Sequence, residues 1–402
     1  MDAPLVLGVD AGSARVAVVL AELAEARPQV IGVGLVPCTG VRRGVVVDME
    51  ATARAIRAAV SQACDMAGRS QATRAVLSIS GPHIQSTLGI AEIPVHRPSR
   101  GVTPEDVRKV LDTAAQLELP AGREVIHLVP RGYAVDGADG VSDPVGLLGR
   151  RLEGTVHLII GDSLPVQNAL RTASAAGLKV IDYQLAVRAA GQAVLTPEER
   201  QAGVLLVDFG AQTTGVAVYD RGHLLHTGLL DIGSDQITHD LARTLSLPGS
   251  VAEELKTQRG WAATDLCPDD RFELVSPSGQ RVRQLTDKQI AAIIEPHVQG
   301  LLREVAAEVR RSRYQGLFPG GLVLTGGGSR LQGLAATAAD GLALPARIGV
   351  APDPLAGQPE FATAAGLVMW GARLVQEVAA AAGPRSTEKR SRLRNWFGRL
   401  FR

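Results

Sequence analysis

The sequence predicts an α/β protein made of two similar domains that enclose a ligand cleft, and three glycine-containing stretches support this prediction. Residues 6–20 read VLGVDAGSARVAVVL, and residues 204–220 read VLLVDFGAQTTGVAVYD. Each has an apolar run, an Asp, a Gly two residues later and a second apolar run, which is typical of two strands joined by a tight turn. The third stretch, residues 322–333, reads LVLTGGGSRLQG and indicates a strand that runs into a glycine turn and then a helix.

The two Asp-containing turns have the chemistry of phosphate binding. Glycine adopts backbone angles that other residues avoid, and it lets main-chain N–H groups approach phosphate oxygens. A carboxylate at the strand end can hold Mg²⁺ or its water ligands beside those phosphates. One such hairpin is weak support, because such turns join strands in many proteins, but two copies predict a duplicated domain with a nucleotide between its halves. The candidate residues are Asp10, Gly12, Ser13 and Arg15 in the first hairpin and Asp208, Gly210, Gln212 and Thr213 in the second, with Asp10 and Asp208 as metal ligands.

The glycine turn of the third stretch completes the predicted site. Gly326, Gly327 and Gly328, followed by Arg330, would let the backbone lie flat against a base or ribose. Two phosphate hairpins followed by a late glycine turn resemble the actin, sugar-kinase and DnaK superfamily. The resemblance implies an actin-like (ribonuclease H-like) duplicated two-domain fold that binds ATP and Mg²⁺ in its cleft.

Composition indicates a globular chain with a basic end. Of 402 residues, 46% are hydrophobic and 21% charged, so the chain can bury a core, and aromatic residues make up only 3%. The three cysteines form no CxxC pair, which argues against a disulfide framework or a zinc site. The start lacks the pattern of a signal peptide and no apolar run is long enough to span a membrane, so we expect a cytoplasmic protein.

The pattern between the hairpins predicts the supporting elements in order. In the first domain we expect strands at 30–37 and 76–80 and a helix at 50–67, whose apolar residues recur at helical spacing. The character changes at about residue 83, where Thr103, Pro104 and Asp106 predict a capped helix start. Further expected elements are strands 125–129, 156–160 and 178–183 and helices 165–176, 234–245, 289–314 and 361–382, with Pro296 bending the long helix.

The resemblance becomes specific to one family within the inserted segment. EVIHLVPRGYAV at 124–135, followed by DPVGL at 143–147, is similar to the small inserted subdomain, called 1C, of the bacterial cell-division protein FtsA. Residues 31–44, 195–203 and 290–296 agree with the same family. The implied division is subdomain 1A at 1–82, 161–202 and 360–382, 1C at 83–160, 2A at 203–240 and 317–359, 2B at 241–316, a linker at 383–388 and an amphipathic helix at 389–402.

The family also implies partners and two further ligand residues. Its members bind the C-terminal peptide of the tubulin-like FtsZ through subdomain 2B, contact later divisome proteins through 1C, and assemble with themselves into filaments. The implied place is the cytoplasmic face of the cell inner membrane at the division septum, with no nucleic-acid partner. Glu253 and Lys256 match positions that reach the ribose and adenine in the family, whereas their spacing alone would indicate an ordinary exposed ion pair.

The basic end predicts a membrane-binding helix. Residues 389–402 read KRSRLRNWFGRLFR, and as a helix about 21 Å long this segment is too short to span a bilayer. A docked core helix would rarely carry so many cations, and a nucleic-acid arm would not need an apolar stripe. We therefore expect it to lie in the interface of an anionic lipid membrane. The stripe is formed by Leu393, Trp396, Phe397, Leu400 and Phe401.

Three positions depart from the family pattern. Gln212 stands where the family usually has glycine, so its side chain is expected to crowd the phosphate and to weaken ATP or change its pose. Arg15 replaces a Lys and keeps the charge in a different shape. Ala186 occupies the position at which efficient actin-like ATPases use a Gln or Glu to orient water, and Gln184 and Gln192 do not fit that register. We expect slow or negligible ATP turnover, and we nominate no catalytic residue.

Two alternatives share the predicted fold. One is a scaffold similar to PilM of type IV pilus assembly, which does not need a lipid-binding tail. The other is a sugar kinase, which would need a general-base Asp beside the γ-phosphate in addition to Asp10 and Asp208.

Overall fold

Two sheets with the same strand order organise the protein. The computed structural model describes residues 4–23, 28–275, 282–312 and 314–381. Within these residues each lobe has a five-stranded sheet, in which an antiparallel meander of three strands is extended by two parallel strands. The duplication predicted from the two hairpins is therefore present in the whole sheet.

The sheet of the first lobe lies between helices. Its central strand is buried on both faces and packs against the long C-terminal helix on one side. A Cβ at Gly8 would lie 2.0 Å from the carbonyl oxygen of Ala364, so only glycine permits this approach. The elements of this lobe before the insertion are β1 (Leu5–Ala11), β2 (Arg15–Leu23), β3 (Pro28–Pro37), β4 (Val41–Arg42), β5 (Val45–Val46), α1 (Met49–Met66) and β6 (Arg74–Ile79).

The insertion forms a separate antiparallel sheet covered by one helix. Thr103 and Asp106 make the predicted capping box, with the Asp106 N–H donating to Thr103 Oγ1 at 3.2 Å and the Thr103 N–H donating to Asp106 Oδ2 at 2.9 Å. The two predicted strands are longer than expected. A strand before them was missed, because it mixes polar with apolar residues and contains Gly89. The elements are β7 (Gln85–Pro94), α2 (Pro104–Ala114), β8 (Arg123–Val135), β9 (Ala138–Val141) and β10 (Arg151–Asp162), in the spatial order β7, β10, β8, β9.

The chain then returns to the first lobe and crosses to the second. Thr196 caps the last helix before the crossing through a capping box with Glu199. Arg347 of the second lobe pairs with Glu199 at 2.7 Å, which fixes the crossing point. The returning elements are α3 (Ser163–Ala175), β11 (Lys179–Leu185), α4 (Ala186–Val194) and α5 (Pro197–Ala202).

The second lobe repeats the sheet and adds a helical cover. Its long helix is capped by Thr286, where Gln289 completes a capping box, and it runs through Pro296 with one apolar face buried. The described helix ends three residues before the predicted limit. The elements are β12 (Val204–Phe209), β13 (Thr214–Asp220), β14 (His223–Leu230), α6 (Asp235–Leu245), α7 (Gly249–Arg259), β15 (Arg271–Val275), β16 (Val282–Thr286), α8 (Asp287–Arg311), β17 (Leu322–Thr325), α9 (Leu334–Leu342) and β18 (Ala346–Ile348), after which α10 (Ala362–Ala381) returns to the first lobe.

No helix among the described residues is both long enough and apolar enough to cross a bilayer. The predicted linker at 383–388 and the amphipathic helix at 389–402, with its five apolar residues, lie outside the described residues. The predicted subdomain boundaries remain predictions.

Candidate functional site

The two hairpins are built alike down to their hydrogen bonds. Asp10 is paired in register with Ala17, and Asp208 with Gly215, so each Asp stands seven residues before its partner. The Gly12 N–H donates to the carbonyl of Arg15 at 3.0 Å, and the Gly210 N–H donates to the carbonyl of Thr213 at 3.0 Å. A Cβ at Gly210 would lie 2.7 Å from the Thr213 oxygen, so the tight turn requires glycine there.

Both turns open into one cavity of about 540 Å³ between the lobes. Every nucleotide-site residue predicted from the sequence lies on its wall, whereas their roles toward a ligand remain predictions. These residues are Asp10, Gly12, Ser13, Arg15, Asp208, Gly210, Gln212, Thr213, Glu253, Lys256, Gly326, Gly327, Gly328 and Arg330.

The two Asp side chains form an electrostatically strained pair. Burial, followed by the charge of Asp10, raises the pKa of Asp208 to about 7. Burial also raises the pKa of Asp10, although Ser78 Oγ donates to its Oδ1 at 2.5 Å and lowers it in part. Two carboxylates that repel each other beside a phosphate-sized cavity suit a divalent cation, since Mg²⁺ is usually held by one or two carboxylates together with phosphate oxygens and water.

The described residues contain no cluster of three or more His, Cys, Asp or Glu side chains that could hold a metal by themselves. The pair would suit a cation that arrives with the phosphates, and the role of Asp10 and Asp208 as its ligands remains a prediction. Thr363 Oγ1 donates to Asp208 Oδ2 at 3.4 Å and helps to orient that carboxylate.

Glu253 and Lys256 form a partly buried network rather than an exposed surface pair. Lys256 is 8% exposed, and its Nζ lies 2.7 Å from Glu253 Oε2. The same ammonium donates to Thr238 Oγ1 at 2.8 Å and to the Ser234 carbonyl at 3.2 Å. Because an ammonium has three donors, Lys256 is fully engaged and holds α7 against the start of α6. The Glu253 side chain is 42% exposed, and its Oε2 also accepts from Thr238 Oγ1 at 2.5 Å.

The glycine turn is held by a residue that the sequence did not single out. Gly326 has φ 80°, and a Cβ there would lie 2.4 Å from Asp208 Oδ1, so glycine brings the turn against the second hairpin. Arg330 Nη1 contacts Glu360 Oε1 at 2.7 Å across the cleft, because Glu360 lies in a short 3-10 helix, Pro359–Phe361, that leads into α10 of the first lobe. Glu360 also lines the cavity, and its buried Oε2 has no partner among the described residues. Its short 3-10 helix carries no motif, so the sequence carried no signal for Glu360.

Gln212 makes a contact between the lobes that the sequence did not predict. It lines the cavity, but its Oε1 accepts from the Arg43 backbone N–H at 2.9 Å and its Nε2 donates to Asp235 Oδ2 at 3.2 Å. The amide therefore forms a contact between the lobes in which both of its ends have a partner, and its expected effect on a bound phosphate remains a prediction.

The position expected to orient water has no polar side chain. Ala186 lies at the start of α4 and lines the cavity. Gln184 is 2% exposed and accepts from Arg188 Nη1 at 2.9 Å, away from the cavity wall. Slow or negligible turnover remains the prediction.

Comparisons with known proteins agree with this architecture. A family model described as "Cell division protein FtsA" matches residues 205–366, and one described as "SHS2 domain inserted in FTSA" matches residues 81–160. The cell division protein FtsA of Pseudomonas aeruginosa is 35% identical over 375 residues, which cover 91% of this chain and 89% of that protein.

Solved structures extend the comparison to the fold. The PilM-PilN type IV pilus biogenesis complex aligns with a TM-score of 0.65 at 20% identity, covering 92% of this chain and 99% of that one. MreB5 of Spiroplasma citri bound to ADP aligns with a TM-score of 0.54 at 12% identity, covering 94% and 98%. At these identities the likeness concerns the fold alone, and it confirms the predicted actin-like architecture.

Proposed function

The chain belongs to the FtsA family of cell-division proteins, and on that basis we propose that it is an ATP-binding protein that polymerises on the cytoplasmic membrane and tethers FtsZ filaments there. The family supports a role in cell division. ATP binding, polymerisation on the membrane and tethering of FtsZ are proposals.

The proposal of ATP binding rests on the pair of equivalent hairpins that line one cavity. The backbone N–H groups of both turns would bind the phosphates, and Asp10 and Asp208 would hold Mg²⁺, which neutralises phosphate charge when bound. Glu253 and the turn at Gly326–Gly328 would receive the ribose and base. A solved relative of the same fold, MreB5, was crystallised with ADP and with AMPPNP, which supports a nucleotide in this cleft.

Because both lobes contribute to the site, ATP would act mainly as a structural ligand. A ligand that contacts both lobes favours the closed arrangement by its greater affinity for it. We propose that this closed state is the one that assembles into filaments. The FtsZ C-terminal peptide is assigned to residues 241–316 and later divisome proteins to residues 83–160.

Membrane attachment is assigned to residues 389–402, which lie outside the described residues. Five large apolar side chains, each contributing about 1.5–3 kcal/mol when fully buried, and basic residues contributing about 1 kcal/mol each near an anionic leaflet, would give reversible binding. Many tails on one filament would bind far more strongly than one. The proposed location is the cytoplasmic face of the inner membrane at the division septum.

A co-pelleting experiment tests the complete proposal. The full chain is mixed with anionic or neutral vesicles, with ATP and Mg²⁺, and with FtsZ carrying or lacking its C-terminal peptide. FtsZ should pellet only when the full chain, anionic vesicles and the peptide are all present. FtsZ that stays in the supernatant, while the chain itself pellets, would contradict the tethering role and leave membrane binding intact.

The alternative functions gain no support from the site. The likeness to the PilM complex at 20% identity concerns the fold, and the further carboxylates on the cavity wall, those of Asp235, Glu253 and Glu360, are each engaged by another side chain.

A further inference from the structure

A small turn of the first lobe joins the two phosphate hairpins. Arg43 and Gly44 connect β4 to β5 with φ values of 49° and 77°, the left-handed angles that two-residue hairpin turns require. The Gly44 N–H donates to Ser13 Oγ in the first hairpin at 3.1 Å. The neighbouring Arg43 N–H donates to Gln212 Oε1 in the second hairpin at 2.9 Å. Consecutive amides of one turn thus bind side chains of both hairpins.

The Arg43 side chain adds a second contact to the opposite lobe. Its Nη1 lies 3.0 Å from Asp231 Oδ2, and the two side chains are 58% and 54% exposed. Gln212 is itself held in place by Asp235, to which it donates at 3.2 Å. We call Arg43, Gln212 and Asp231 the clasp.

The clasp lies on the outer side of the phosphate end of the cleft. Gln212 lines both the main cavity and an adjoining cavity of about 600 Å³, which Arg43 and Asp231 also line. By contrast, the contact between Arg347 and Glu199 lies where the chain crosses between the lobes. A contact at the crossing can persist when the lobes part, whereas the more exposed clasp has to break.

We propose that Gln212 is a positioning residue that, with Arg43 and Asp231, holds the cleft closed at its phosphate end and slows nucleotide release. This inference rests on the proposed binding of ATP. When only a fraction of the empty protein is in the closed state that binds the ligand, the apparent affinity is the intrinsic affinity multiplied by that fraction. Contacts that keep the empty cleft closed therefore raise affinity, and the same contacts must break before a bound nucleotide can leave.

The proposal reverses the effect expected from crowding. A glycine at position 212 would leave the Arg43 N–H without its acceptor and Asp235 without its donor. Removing the amide should therefore weaken ATP binding. If the side chain instead crowded the phosphate, its removal would tighten ATP binding.

The first test is the release rate of a fluorescent ATP analogue, measured by stopped-flow displacement with excess ATP. The variants are Gln212→Ala, Asp231→Asn and Arg43→Gly, the last chosen because glycine keeps the positive φ. Arg54→Ala is the matched control, since it removes an arginine from an exposed ion pair of the same lobe, with Glu50 in α1, and Arg54 lines neither cavity. We expect release to be roughly three- to tenfold faster in each clasp variant, the scale of one or two weak polar contacts, and unchanged in the control. Equal rates in wild type and Gln212→Ala, or an equal gain in Arg54→Ala, would overturn the clasp.

The second test needs no nucleotide and so separates this inference from the proposed function. Spin labels at Met66→Cys in α1 and Arg303→Cys in α8 report the separation of the lobes, and the three native cysteines are buried. In the nucleotide-free protein, Gln212→Ala and Arg43→Gly should broaden the distance distribution toward longer values, and Arg54→Ala should leave it unchanged. A distribution that is identical in all four proteins would overturn the clasp even if ATP binds. Failure of the wild type to bind ATP would instead overturn the proposed function, while the distance measurement would still decide about the clasp.

Discussion

The carboxylates of Asp10 and Asp208 face the same cavity from the two duplicated hairpins, and the charge of Asp10 helps to raise the pKa of Asp208 to about 7. The two carboxylates are held in this position because the register of each hairpin puts its Asp near the strand end. The arrangement costs stability in the absence of a cation and favours the binding of one.

This repulsion predicts how stability depends on pH. The folded state binds the Asp208 proton more tightly than the unfolded chain, whose Asp pKa is near 3.8. The contribution of this group is therefore most favourable below about pH 4 and is lost as the pH rises toward about 7. In EDTA, Asp208→Asn should raise the melting temperature by about 2 °C or more at about pH 8 and should have little effect at about pH 4. Asp65→Asn on the exposed face of α1 is the control, and a stabilisation by Asp208→Asn that is independent of pH would contradict the pairing.

The network around Lys256 predicts a structural role for this residue. Lys256→Met keeps much of the volume but leaves Thr238 Oγ1 and the Ser234 carbonyl without their donor. We expect a loss of about 1–3 kcal/mol in the free energy of unfolding, measured by urea denaturation. Lys109→Met, at an exposed position of α2, should change it by no more than about 0.5 kcal/mol. A Lys256→Met protein of wild-type stability but with weakened ATP binding would show that the ammonium acts on the ligand instead.

The ion pair between Arg330 and Glu360 predicts that these two residues act together on ATP affinity. Each single change to Ala should weaken ATP binding by roughly three- to tenfold, because the glycine turn loses its anchor to the first lobe. The double variant should be no weaker than either single variant, as expected for residues that act together. Glu92→Ala, which breaks the exposed pair with Arg151 in the insertion, is the control. Strictly additive losses in calorimetry would show that the two residues contact the ligand independently.

The tail predicts a separable membrane function. Trp396→Glu would place a carboxylate in the middle of the apolar stripe, so the protein should stop pelleting with anionic vesicles and still bind ATP. Pelleting of the wild type should fall as salt rises, because ions screen the basic residues. If the Trp396→Glu protein pelleted as the wild type does, residues 389–402 would have to act as a partner-binding or docked helix.

The parts of the site that lie in local sequence patterns could be predicted, and the parts that depend on contacts between distant residues could not. Asp10 and Gly12, like Asp208 and Gly210, belong to local strand and turn patterns that occur twice, so both the hairpins and their common cavity could be predicted. Glu360 reaches the site from a short 3-10 helix and Arg43 from a two-residue hairpin turn. Neither residue was given a role from the sequence, because only the packing of the lobes brings them to the site.

The position of the Gln212 side chain could not be predicted from the sequence either. Its departure from glycine was visible, but the direction of its side chain depends on the Arg43 amide and on Asp235, which lie far apart in sequence. The missed strand β7 was hidden for a local reason, since Gly89 weakens a strand pattern yet is required where a Cβ would lie 2.1 Å from the Ala114 carbonyl oxygen.

The most direct test of the account is the affinity of Asp208→Ala for ATP in the presence of Mg²⁺, measured by isothermal titration calorimetry beside the wild type. Asp208 is the one predicted metal ligand of the second hairpin, and Thr363 is the described side chain that donates to it. The account predicts that ATP binding is lost while the circular dichroism spectrum is kept. An affinity equal to that of the wild type would contradict a nucleotide held between the two hairpins.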